Sequence, residues 1–103
     1  RPAPFYLAFG DIRFAENESK IIHKDNTVLL PKKEAELLSY LLRNPNQVLS
    51  RRQIIGNVWG PHTEIEDGNL DNYIYLIRKK LNGLDTNVHI VTVHRQGYCL
   101  TLK

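Results

Sequence analysis

The apolar residues of this chain change their spacing twice, and that double switch narrows the available folds more than any other feature. Before Pro31 they come in short alternating runs at residues 5–9, 12–14, 20–23 and 27–30. Gly10-Asp11, Asn17-Glu18-Ser19 and Lys24-Asp25-Asn26 break these runs with turn chemistry. Short alternating segments about 8–10 residues apart predict an antiparallel meander. After Pro31 the period lengthens. Ala35, Leu37, Leu38, Leu41 and Leu42 follow the i, i+3, i+4, i+7 pattern of an amphipathic helix, closed by Asn44-Pro45-Asn46. Alternation returns at residues 88–93 and 98–102, two strands flanking a four-residue loop, His94-Arg95-Gln96-Gly97.

Two more helices lie between the switches. Ser50-Arg51-Arg52-Gln53 is a capping box, with Leu49 and Ile54 at the staple positions around it. Ile54, Ile55, Val58 and Trp59 supply the buried side of that helix, and Gly60-Pro61 stops it. Leu70, Ile74, Ile77 and Leu81 then form an inward stripe on a third helix, ended at Asn82-Gly83 by a left-handed cap. The expected organisation is one α+β domain over residues 1–103. It comprises an antiparallel sheet (1–30), a three-helix core (31–83) and a C-terminal hairpin (88–102).

Composition excludes several classes of function. The chain has 103 residues, 42% hydrophobic and 24% charged, as ordinary globular domains do. No apolar run approaches the roughly 18–20 residues of a membrane span. The single cysteine, Cys99, has no partner for an internal disulfide and fits a reducing, cytoplasmic setting. The chain begins at Arg1 and contains no Met, so it is expected to be a piece of a longer protein. Four scattered histidines (His23, His62, His89, His94) form no helical pair, so no metal or other cofactor is expected. Without a Gly-rich phosphate loop or a nucleophile-base pattern, an enzyme is not expected either.

Charge is informative by position. The net charge is +3. Residues 32–52 carry a surplus of three positive charges and residues 70–103 another three. Between them, residues 53–69 hold no base and three acids, Glu64, Glu66 and Asp67. Two basic segments around an acidic loop suggest an anion-binding face and a separate contact surface of opposite sign.

A helix, a turn, a second helix and a basic hairpin make the outline of a winged helix-turn-helix. B-DNA's major groove admits one helix whose outward side chains meet base edges. The third helix turns Asn72, Tyr75, Leu76 and Lys79 outward, with Asp71, Tyr73, Arg78 and Lys80 on its flanks. Base edges or nearby phosphates are assigned to Asn72, Tyr73, Tyr75, Leu76 and Lys79. Backbone contacts are assigned to Arg51, Arg52 and Arg78, the first two where helix amides also favour a phosphate. The wing tip offers His94, Arg95 and Gln96, with Arg95 reaching the minor groove.

The residues also carry a resemblance. Leu30-Pro31-Lys32-Lys33-Glu34-Ala35-Glu36-Leu37-Leu38, Asn44-Pro45-Asn46-Gln47-Val48-Leu49-Ser50-Arg51 and Val58-Trp59-Gly60 resemble the first two helices of an OmpR/PhoB-type effector domain. The match continues through Leu70-Asp71, Ile74, Ile77-Arg78-Lys79-Lys80-Leu81, Val91-Thr92-Val93 and Gly97-Tyr98-Cys99-Leu100. It implies sequence-specific binding of double-stranded DNA, at direct-repeat half-sites, in a bacterial two-component response regulator. It further implies an N-terminal receiver domain outside this chain, self-association through the full-length protein, and an RNA polymerase or partner contact at the loop of His62, Glu64, Glu66 and Asp67. The chain departs from the family pattern at Gly68 and Leu76, where Arg is usual, and at Arg95, where Gly is usual. The wing also resembles that of ToxR/CadC-like membrane-anchored regulators, which leaves that alternative open. A second alternative is a winged-helix protein-interaction module without DNA binding.

Plainer readings stand beside these. Trp59, Tyr98 and Phe9 lie in apolar stretches, as core aromatics do. Arg78-Lys79-Lys80 fits a solvated helix face, and Arg78 fits a structural pairing with an acid.

Overall fold

The alternating runs before Pro31 form a four-stranded antiparallel sheet in chain order: β1 (Tyr6–Phe9), β2 (Ile12–Ala15), β3 (Lys20–His23) and β4 (Asn26–Leu29). The computed structural model describes residues 5–61 and 67–103. Register places Leu7 opposite Phe14, Phe14 opposite Ile21, and Ile21 opposite Val28. This row crosses the whole sheet on one face. Phe14 and Ile21 are fully buried in it, and Leu7 and Val28 pack against the core at its ends. A short 3-10 turn, Glu16–Glu18, joins β2 to β3 where Asn17-Glu18-Ser19 predicts a turn.

Beyond Pro31 come α1 (Lys32–Arg43), β5 (Leu49–Ser50), α2 (Arg51–Val58) and α3 (Asp67–Leu84). Leu37, Leu38 and Leu41 of α1 are fully buried, and Glu34 on the same helix is buried with its carboxylate 2.6 Å from Lys80 Nζ of α3. Both halves of the capping box form. The Gln53 amide donates to Ser50 Oγ at 3.0 Å, and the Ser50 amide donates to Gln53 Oε1 at 2.8 Å. Leu49 and Ile54 are both buried beside it, as a staple requires.

The third helix ends later than its sequence suggests. Gly83 lies inside α3, and the left-handed residue is Asp85, with φ 58°. Leu84 supplies the reason, because it is buried at the end of the stripe formed by Leu70, Ile74, Ile77 and Leu81. Burying a leucine stabilises by about 1.5–3 kcal/mol, against about 1 kcal/mol for a glycine within a helix. Packing therefore carries the helix through Gly83.

The last strands are β6 (Val88–Val93) and β7 (Gly97–Leu102), and β5 joins them in a sheet of order β5-β7-β6. The wing loop has three residues rather than four, since Val93 pairs directly with Gly97. Arg95 takes a left-handed φ of 61° at its centre. Gly97 is irreplaceable for a different reason. A Cβ there would lie 1.9 Å from the Leu49 carbonyl oxygen, so β5 approaches β7 only because residue 97 has no side chain.

Candidate nucleic-acid interface

The inward stripe of α3 dictates what its other side displays. Asn72, Tyr75 and Lys79 are exposed and Leu76 is half-buried, one group along the outer face at i, i+3, i+4 and i+7. Tyr75 is 58% exposed, unusual for so large a ring. Among the described residues, none of these four side chains has a hydrogen bond, ion pair or ring contact. Tyr73 differs. It is half-buried, packed on the core, with its ring centroid 5.2 Å from that of Trp59 at a 57° tilt. Lys33 sits over the same indole at 5.5 Å. Tyr73 thus braces α3 against Trp59 at the end of α2.

The flanking cations of α3 turn inward. Arg78 donates to the Ile90 carbonyl through Nε (2.9 Å) and Nη2 (2.7 Å), and through Nη2 to Thr92 Oγ1 (2.7 Å). Its partners are a carbonyl and a hydroxyl of β6, not an acid. The guanidinium also lies 5.6 Å from the centre of the Tyr98 ring. Lys80 is held by buried Glu34.

Asp71 closes a junction of three elements. Its Oδ1 accepts a hydrogen bond from Arg51 Nη1 at 2.6 Å and another from the Tyr98 hydroxyl. Arg51 also lies over the Tyr98 ring, 5.9 Å from its centre. The hydrogen bond from Arg51 is the main reason the Asp71 carboxyl is held below the ordinary carboxylate value, reinforced by Tyr98 and the charge of Arg78 against partial burial. Burial, and then the bond to Asp71, pushes the Tyr98 phenol up. This junction fixes the start of α2, the first turns of α3 and the base of the wing relative to one another. Sequence alone marked Asp71 as a flank and Tyr98 as a core residue, both within family motifs, and assigned neither a role in the site. Nothing in their spacing, 27 residues apart, signals the contact.

Around this frame stand the remaining cations. Arg52, in the first turn of α2, is exposed. His94, Arg95 and Gln96 are exposed at the wing tip. Neither Arg52 nor these three has a side-chain hydrogen bond or ion pair among the described residues. Asp67 is the first residue of α3, while His62, Glu64 and Glu66 lie outside the described residues. Trp59 is half-buried and Tyr98 buried, both packed in or on the core. No group of three metal-ligating side chains occurs among the described residues. No helix among them is long and apolar enough to cross a membrane.

Comparison with known proteins agrees with this geometry. The family described as "Transcriptional regulatory protein, C terminal" matches residues 25–100. The transcriptional regulatory protein DltR of Streptococcus agalactiae is 34% identical over 94 residues, which cover 91% of this chain and 42% of that protein. The chain thus spans about two fifths of the length of such relatives. Among solved structures, the C-terminal domain of the nisin resistance regulator NsrR, a lantibiotic response regulator, is 30% identical with a TM-score of 0.80. That likeness covers 91% of this chain and 94% of the NsrR domain. The DNA-binding domain of Escherichia coli CadC is 26% identical with a TM-score of 0.85, over 100% of this chain and 96% of that one. With three helices, a hairpin wing and this match over most of its length, the chain belongs to the OmpR/PhoB-type family of winged-helix, DNA-binding C-terminal domains of transcriptional regulatory proteins.

Proposed function

We propose that this chain is the single effector domain of a bacterial two-component response regulator and binds double-stranded DNA with α3 in the major groove. The observation that carries this reading is the outer face of α3, where Asn72, Tyr75, Leu76 and Lys79 have no hydrogen bond, ion pair or ring contact among the described residues while the neighbouring cations do. An α-helix whose outward side chains are free and whose flanks are braced suits a groove that admits one helix. Arg52 takes a backbone phosphate beside the N-terminal amides of α2. Arg95 enters the minor groove from the wing, with His94 and Gln96 beside it. Tyr73, Arg51 and Arg78 contribute to DNA contact only through atoms left over from their internal packing, and mainly hold the frame. The segment of His62, Glu64 and Glu66, with Asp67 at the start of α3 rather than in the loop, is the candidate contact for RNA polymerase. Binding to direct-repeat half-sites follows when a receiver domain pairs two full-length copies in the cytoplasm. The domain acts by binding and carries out no catalysis.

Fluorescence anisotropy against labelled duplexes, titrated in salt, tests this. The expected result is micromolar binding that weakens steeply with salt, as counterion release from phosphates requires. Lys79→Ala is expected to weaken binding to all sequences and to flatten the salt slope by about one unit. A loss confined to one operator position would make Lys79 a base reader. No binding even at low salt would overturn the reading and leave a protein-interaction module. The likeness to CadC favours a second reading, a one-component regulator with a membrane anchor in place of the receiver. A transmembrane segment instead of a receiver elsewhere in the full-length protein would decide for it.

A further inference from the structure

We infer that the α3 face reads A·T base pairs, with Asn72 recognising adenine and Leu76 the methyl group of thymine. This rests on the DNA-binding reading above and specifies its ligand. The major groove distinguishes bases by chemistry. Guanine is read chiefly by arginine or lysine at O6 and N7, adenine by a bidentate amide at N6 and N7, and thymine by apolar contact with its methyl. The two arginines nearest the face are committed elsewhere, Arg78 to β6 and Arg51 to Asp71. On the face itself stand one amide with no hydrogen bond among the described residues, Asn72, one aliphatic side chain, Leu76, the exposed ring of Tyr75 and one cation, Lys79.

Position assigns their roles. Asn72 and Leu76 are four residues apart, so they lie on one side of α3, about 6 Å apart along its axis. That span covers between one and two steps of a duplex rising about 3.4 Å per base pair. The amide and the aliphatic group thus meet adjacent or next-adjacent pairs. Lys79 lies a further turn along, and its flexible point charge takes a phosphate. Tyr75 lies beside Leu76 and lengthens the apolar surface presented to methyl groups. The wing adds an independent preference of the same kind. Arg95, exposed at the tip of a three-residue turn, favours the narrow minor groove of A·T-rich DNA.

The test is selection from randomised duplexes with the whole chain, followed by anisotropy on the enriched site. The wild-type chain is expected to enrich adjacent or next-adjacent A·T pairs at the core of a half-site. Asn72→Ala is expected to lose discrimination for adenine at one of these positions by about 5- to 150-fold, with the salt slope unchanged. Replacing the contacted thymine by deoxyuridine removes only a methyl group. It is expected to weaken the wild-type chain about fourfold and Leu76→Ala scarcely at all. Melting temperatures of both variants check that these substitutions, one exposed and one half-buried, leave the fold intact. Salt-dependent binding with a G·C core, or adenine discrimination unchanged in Asn72→Ala, would overturn the inference and leave DNA binding standing. An unchanged deoxyuridine effect in Leu76→Ala would overturn the thymine contact. Absence of salt-dependent binding to any duplex would instead defeat the underlying reading, and this inference with it.

Discussion

Two aspartates each fasten a sheet to the rest of the molecule, and they do so with different chemistry. Asp11, in the β1–β2 turn, ties the N-terminal sheet to the start of β6. Its Oδ1 accepts from the Thr86 hydroxyl and the Asn87 amide, and its Oδ2 lies 3.0 Å from Nε2 of buried His23. Asp71 ties the wing sheet to α2 and α3 through Arg51 and Tyr98. Asp11 is thus held mostly by neutral donors away from the α3 face, and Asp71 by a guanidinium and a phenol directly beside it. Burial pushes the Asp11 carboxyl up, but the hydrogen bonds from Thr86, His23 and Asn87 outweigh it and leave the group below its ordinary value. The two seams therefore serve different ends. One closes the fold, and the other also sets the geometry of the candidate DNA-binding face.

Each aspartate seam has a glycine built into it, and the two glycines differ sharply. A Cβ on Gly97 would meet backbone, 1.9 Å from the Leu49 carbonyl oxygen. A Cβ on Gly10 would meet side-chain atoms, Leu102 Cδ2 at 2.6 Å, Asn87 Oδ1 at 2.7 Å and Val88 Cγ2 at 2.8 Å. The largest effect is therefore expected from Gly97→Ala. It forces β5 from β7 beneath Tyr98 and costs roughly 3 kcal/mol or more, read by urea denaturation. DNA affinity should fall with it, because the Asp71 junction is displaced. A loss below about 1 kcal/mol would show that β5 yields freely.

Gly10→Ala should cost less, roughly 1–2 kcal/mol. The strain of a left-handed alanine at φ 55° remains, and buried Val88 and the Asn87 amide must shift, but these are side-chain atoms where Gly97 faces backbone. Its DNA affinity, measured at a temperature where the variant is folded, should equal that of the wild type. A matching loss of affinity would erase the distinction between the seams.

The smallest effect is in acid. Both carboxyls are held below the ordinary value of 3.8 in the folded chain. The folded state therefore keeps these charges to lower pH than the unfolded state does. Their stabilisation is fully present above the unfolded value and is lost as pH falls through the folded ones. Both groups are substantially exposed, so solvent screening keeps each contribution modest. Urea midpoints should rise from about pH 2 to about pH 5. Asp11→Asn and Asp71→Asn should each flatten that rise, and the double variant should flatten it further. An unaltered slope in the double variant would assign acid sensitivity to other carboxylates.

The sequence carried the fold because its signals are local. Alternation in residues 5–30, the stripe of Leu70, Ile74, Ile77 and Leu81, and the Ser50–Gln53 capping box each need only a few neighbouring residues to form. It carried part of the candidate site for the same reason. Once the buried side of α3 is known, Asn72, Tyr75 and Lys79 must face outward. Local signals failed where contacts join distant residues. Gly83 looks like a helix end until the burial of Leu84 is seen. Leu49-Ser50 does not announce a strand until Gly97 admits it to β7.

The cations show the division most clearly. Arg51, Arg52, Arg78, Lys79 and Lys80 are equivalent as letters, and composition alone makes all five candidates for phosphate. Tertiary structure separates them. Arg51, Arg78 and Lys80 meet Asp71, β6 and Glu34, leaving Arg52 and Lys79 to solvent. Periodicity decides which side of a helix a residue occupies. Whether a long charged side chain on its flank bends inward depends on which acceptor another element brings within about 3 Å, and no local pattern encodes that.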